Sequence, residues 1–108
     1  MNELDEKLMD CAEIGNLEGV KKALEQGADI HAYNDFSLRW ASHRGHLDVV
    51  RYLVEQGANV HYADDYALIL ASEKGHLDIV KYLVEQGADI TKVKNPNQLC
   101  DYKLVLKW

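Results

Sequence analysis

A sixteen-residue block recurs three times at a spacing of 30 residues: GNLEGVKKALEQGADI from Gly15, GHLDVVRYLVEQGANV from Gly45 and GHLDIVKYLVEQGADI from Gly75. The second and third copies agree at 12 of 16 positions, and their four exchanges (Val49/Ile79, Arg51/Lys81, Asn59/Asp89, Val60/Ile90) keep size and polarity nearly constant. A fixed period of this length specifies a stack of like units, each touching only its neighbours. The 108 residues hold three such units and a fraction, close to the roughly three that a stable stack needs. One domain over 1–108 is expected.

Each block reads as a helix with its own start and stop. Leu47, Val50, Leu53 and Val54 fall at helical spacing, and Asp48 sits in the first turn, where the helix dipole favours an acid. Asp48 and Arg51, three apart, are expected to pair on the outside. Gly57, like Gly27 and Gly87, follows the last periodic residue and suits the left-handed conformation that closes helices. Val49 and Tyr52 widen the apolar face, as expected of a helix packed between neighbours. Upstream of each block lies a shorter apolar stretch: Leu4, Leu8, Met9, Ala12, then Phe36, Leu38, Trp40, Ala41, then Tyr66, Leu68, Leu70, Ala71. Gly15, Gly45 and Gly75 end these stretches. One unit is therefore a short helix, a tight turn, a longer helix and a crossing to the next unit. The expected units are 2–34, with Asn2 capping its first helix, then 35–64 and 65–94. The sequence after Ile90 breaks register, Asn95-Pro96 is a helix-start signal, and residues 95–108 are expected to form a capping half-unit.

Composition narrows the function. The net charge is −6, and residues 1–30 carry eight acids against three bases, so nucleic acid is not the expected partner. The longest apolar run, Tyr66 to Ala71, is six residues, far short of the roughly 18–20 needed to span a bilayer. The acidic start (Glu3, Asp5, Glu6, Asp10, Glu13) does not read as a secretion signal, so an intracellular, cytoplasmic protein is expected. Cys11 and Cys100 suit neither a disulfide framework nor a zinc site. His46 and His76 occupy the same place in the repeat and are expected to bond backbone, and His31 and His61 also recur. His43 is unique, but Gly45 interrupts its His-x-x-His spacing with His46, so no metal is expected. No phosphate-cradling loop or serine-hydrolase motif occurs. Asp64-Asp65 reads as solvated turn chemistry. Neither cofactor nor catalytic residue is expected.

The run Gly75 to Ile90, and its copies from Gly45 and Gly15, resembles the second-helix half of an ankyrin repeat. Tyr66 to Lys74 is similar to the first ankyrin helix, with Phe36-Ser37-Leu38-Arg39 and Tyr66-Ala67-Leu68-Ile69 where ankyrin repeats commonly carry Thr-Pro-Leu-His. The period of 30 against the common 33 leaves only Tyr33-Asn34-Asp35 and Ala63-Asp64-Asp65 for the hairpin between units. This shortened variant resembles the ankyrin repeats encoded by giant viruses of amoebae, which would place a viral chain in host cytoplasm with a host protein as partner.

The resemblance implies an all-α solenoid of helix-turn-helix units joined by short hairpin loops. It further implies a non-catalytic, monomeric module that binds a protein through a groove of loop tips and first helices. The matching positions are Glu13 and Ile14, then Tyr33, Asn34, Asp35, Arg39, His43 and Arg44, then Asp64, Asp65, Ile69, Glu73 and Lys74, with Ala63 in the second hairpin. Tyr33, His43 and Arg44 are the expected anchors, because Tyr and Arg are enriched among binding hot spots. An alternative is self-association, with units stacking end to end through Leu104, Val105 and Trp108.

Overall fold

A computed structural model describes residues 2–92. Six helices form three hairpin pairs: α1 (Glu3–Ile14) with α2 (Leu17–Glu25), α3 (Ala32–Arg44) with α4 (Leu47–Glu55), and α5 (Tyr62–Glu73) with α6 (Leu77–Glu85). A 3-10 turn at Ile90–Lys92 follows. Among the described residues there is no strand. The proposed half-unit at 95–108, with Leu104, Val105 and Trp108, lies outside the described residues.

The helix ends follow from local chemistry. Asn2 Oδ1 accepts the Leu4 amide at 2.8 Å, as expected of an N-cap, and Asn16 Oδ1 accepts the Gly19 amide at 3.0 Å. After the second helix of each unit, the amides of Ala28, Ala58 and Ala88 return to the carbonyls of Ala23, Leu53 and Leu83 at 3.0 Å. This closure needs a left-handed residue between them. Gly57 supplies it with φ 103°.

The core repeats with the sequence. Leu8, Leu38 and Leu68 are buried, as are Val20, Val50 and Val80, each set spaced by 30 residues. A fully buried leucine or valine contributes roughly 1.5–3 kcal/mol. The first unit has a thinner layer, with Gly19 and Ala23 where the others carry Val49 or Ile79 and Leu53 or Leu83. A side chain at Gly19 would collide with Cys11 Sγ, so the small residue lets α1 and α2 close on each other. Along the stack the first helices pack together more closely than the second helices do. The stack therefore curves with α1, α3 and α5 on the inside.

Basic side chains bind the outer row, and here the expected Asp48–Arg51 pair does not form. Arg51 instead lies over the Tyr82 ring of the next unit at 5.3 Å, and Lys21 lies over Tyr52 at 5.5 Å. Asp48 Oδ1 accepts the Val49 amide at 2.8 Å. A cation over an aromatic face is attracted to its ring electrons and loses less hydration than in a tight ion pair.

The short loops are not hairpins. Tyr33, Asn34 and Asp35 form a left-handed turn, with φ/ψ of 54/47°, 62/49° and 55/40°, before α3 turns right-handed. Ala63 and Asp65 repeat it, with φ 54° and 64°. For L-residues this conformation costs about 1–2 kcal/mol each, so something must hold it. His31 Nδ1 donates to Asp35 Oδ1 at 2.7 Å, and the Asp35 amide donates to the His31 carbonyl at 3.2 Å. His61 and Asp65 do the same at 2.6 and 3.2 Å. In the second unit Arg39 also grips the turn, its Nε donating to the Asn34 carbonyl at 2.9 Å and its Nη2 to the Tyr33 carbonyl at 2.8 Å.

These aspartates also tie successive segments together. Asp5, Asp35 and Asp65 accept the amides of Asp29, Asn59 and Asp89 at 2.7, 3.5 and 3.1 Å. Asp29, Asn59 and Asp89 in turn accept the amides of His31, His61 and Thr91 at 2.9, 3.0 and 2.9 Å. The result is a hydrogen-bonded ladder from α1 to the Ile90–Lys92 turn.

Candidate functional site

The inner row of first helices is the surface on which most of the expected site residues converge. Ile14 is 71% exposed and Tyr33 48% exposed, large apolar side chains left in water. Arg44 Nη2 meets Glu13 Oε2 at 3.1 Å, so the edge of α3 is clipped to the end of α1. Lys74 and Glu73 lie exposed at the matching end of α5, and Ile69 is half-buried.

Three expected site residues are placed otherwise. Asp35 and Asp65 are only 4% and 5% exposed, because their carboxylates are spent on His31, His61 and the ladder amides. They are turn anchors, and Asp65 is not the solvated turn residue that its sequence suggests. Asn34 is exposed, while its carbonyl is taken by Arg39. Arg39 is thereby a clamp on the turn. The Asp64 side chain lies outside what the structure describes.

Two residues that sequence reasoning assigned to packing belong to this surface. Phe36 and Trp40 are half-buried, and their rings meet at 5.6 Å. The His43 ring stands edge-on to Trp40 at 4.8 Å, Arg44 lies over Trp40 at 5.6 Å, and Arg39 lies between Phe36 and Tyr62 at 5.8 Å from each. The buried positions of this helix are Ser37, Leu38, Ala41 and Ser42. Phe36, Trp40 and Arg44, spaced four apart, form a separate stripe. That spacing is the signal in the sequence, masked because Phe36 and Trp40 share one apolar run with Leu38.

Burial, followed by the charges of Lys74 and Arg44, holds the His43 imidazole below its ordinary value, with Glu73 opposing. Its Nδ1 is buried without a hydrogen-bond partner among the described residues. His46 and His76 serve the interior, as their periodicity suggested. The His46 Nε2–H donates to the Glu13 carbonyl at 2.9 Å, and the His76 Nε2–H to the His43 carbonyl at 3.0 Å. Each ring caps the first helix of the unit before its own. The His76 ring also covers Gly45, where an added Cβ would lie 2.7 Å from Cε1.

Among the described residues, no three His, Cys, Asp or Glu side chains are grouped to hold a metal ion. No helix among them is long and apolar enough to cross a membrane.

The fold and this surface define an all-α repeat solenoid with an open, aromatic inner face. A family model of ankyrin repeats (3 copies) matches residues 8–94, and the chain belongs to that family. Ankyrin repeats are generally protein–protein interaction modules and typically non-catalytic. No curated protein matches the sequence.

Proposed function

We propose that this protein is a monomeric, non-catalytic module that binds a partner protein along its inner helix row, with Phe36, Trp40, His43 and Arg44 as the centre of contact. The observation that carries this reading is the aromatic stripe itself. Phe36 and Trp40 pack on each other and on cationic side chains, and neither joins the buried core. Large aromatic and arginine side chains at the middle of a concave surface are the residue types that dominate binding energy. Ile14, Tyr33, Glu73 and Lys74 form the rim. A chain of net charge −6 is a poor ligand for nucleic acid or an anionic membrane surface, which favours a protein partner.

A photoreactive phenylalanine analogue at Phe36, used in the native host, tests this. It is expected to crosslink one partner, whereas the same group at Lys22, exposed on the outer row, captures none. Equal capture from both positions refutes the groove.

A further inference from the structure

We infer that the inner face accepts a basic amphipathic segment, with lysine or arginine along one edge and aliphatic or aromatic side chains along the other. This rests on the groove reading above and adds the chemistry of its ligand.

The 30-residue register places equivalent positions of α1, α3 and α5 side by side. Those of α1 are Glu3, Glu6, Asp10 and Glu13, all on one helical face. Their counterparts on α3 are Tyr33, Phe36, Trp40 and His43. On α5, Tyr66 and Leu70 continue the apolar surface. The contact between Arg44 and Glu13 shows that the acidic and aromatic rows adjoin. Neighbouring packed helices lie about 8–10 Å apart, roughly the width of one helix. A single helical segment laid between α1 and α3 would meet both rows, its charged edge on α1 and its apolar edge on α3.

The sign of the ligand follows from which charges are already used. Arg39 donates to two turn carbonyls and Arg44 pairs with Glu13. Among the described residues, Glu3, Glu6 and Asp10 take part in no ion pair, and Glu3, Glu6 and Asp10 are exposed. The α1 side of the surface therefore has carboxylates to offer a cation, while the arginines beside it are engaged and Lys74 stands at the far, α5 end.

The test uses the full chain with Trp108→Phe, which leaves Trp40 as its one tryptophan. It is titrated with a helical peptide bearing leucine on one face and lysine on the other, and with the same peptide carrying glutamate for lysine. The lysine peptide is expected to shift Trp40 emission, to weaken as salt is raised, and to lose about tenfold in affinity with Glu6→Gln and Asp10→Asn together. Glu55→Gln on the outer row is expected to leave binding unchanged. Equal binding of the glutamate peptide, or no loss in the double variant, overturns the inference. Concentration-dependent self-association that competes with the peptide would make the basic 93–108 segment of a second copy the occupant, which supports the charge inference and overturns the monomeric reading. If the Phe36 crosslink captures a partner through an acidic segment, the charge inference falls and the groove reading stands. If Phe36 captures nothing and neither peptide moves Trp40, both fall.

Discussion

Replacing Asp65 with alanine removes two contacts and a conformational preference at once. The carboxylate accepts from His61 Nδ1 at 2.6 Å and from the Asp89 amide at 3.1 Å, and it lies at φ 64°. A hydrogen bond to a charged group is worth about 1.5–3 kcal/mol, but the His61 ring is largely exposed and water replaces part of its loss, leaving about 1 kcal/mol. The Asp89 amide is partly buried and recovers less, so about 1–2 kcal/mol is lost there. Alanine also tolerates the left-handed region less well than aspartate, adding several tenths. The sum is about 2–4 kcal/mol. Asp65→Asn retains an acceptor and the turn preference, and should lose about half of that. Urea unfolding reads both variants as a lower midpoint at unchanged slope. Glu25→Ala, at an exposed helix position, serves as the control and should stay within about 0.5 kcal/mol. If Asp65→Ala matches that control, the carboxylate is a solvated turn residue and the ladder does not support the stack.

Three further outcomes follow from other contacts. Gly45→Ala should cost more than Gly57→Ala by about 1–2 kcal/mol, because both sit at positive φ but only the first drives a Cβ into the His76 ring. In a His76→Ala background that excess should vanish in the same urea assay. Leu38→Ala should lose about 2–5 kcal/mol by opening a cavity, whereas Trp40→Ala should lose about 1 kcal/mol and abolish partner capture. A Trp40→Ala loss as large as that of Leu38→Ala would return Trp40 to the core. For His43 the folded imidazole sits below its ordinary 6.5, so in that window the unfolded chain binds more protons and stability rises with pH. Its contribution is complete above about 6.5 and is lost as pH falls through the folded value. An NMR titration should find the His43 midpoint below 6.5 and find it raised in Lys74→Glu; a midpoint at or above 6.5 refutes the burial argument.

The helix pairs were legible because their signals are local. Asn2 as a cap, the glycines at helix ends and the Leu47–Val50–Leu53 spacing act within one or two turns, and all appear where the sequence places them. His46 and His76 were legible as structural residues by recurrence, although the carbonyls they bond belong to the preceding unit. The candidate site was half legible. Register alone places Glu13, Ile14, Tyr33, His43 and Arg44 on the inner face, whereas it does not place Phe36 and Trp40, because an aromatic in an apolar run looks the same whether it faces the core or the groove. The burial of Asp35 and Asp65 is not legible in the sequence, because an aspartate in a short polar loop normally meets water.

What the sequence by itself determined is the repeat. Period, capping and apolar spacing specify a helix pair, and a pair that cannot bury both faces alone must stack on its copies. Only the tertiary structure decided which side of α3 was core, which carboxylates were buried, and that Arg51 would choose Tyr82 over Asp48. Each of these outcomes depends on atoms supplied from 24 to 33 positions away, such as the Asp89 amide at Asp65 or the Glu13 carbonyl at His46. Burial and hydrogen bonding are set by what the neighbouring unit brings to that place. One unit's sequence specifies the shape of the layer, and contact between layers assigns its side chains to core, ladder or groove.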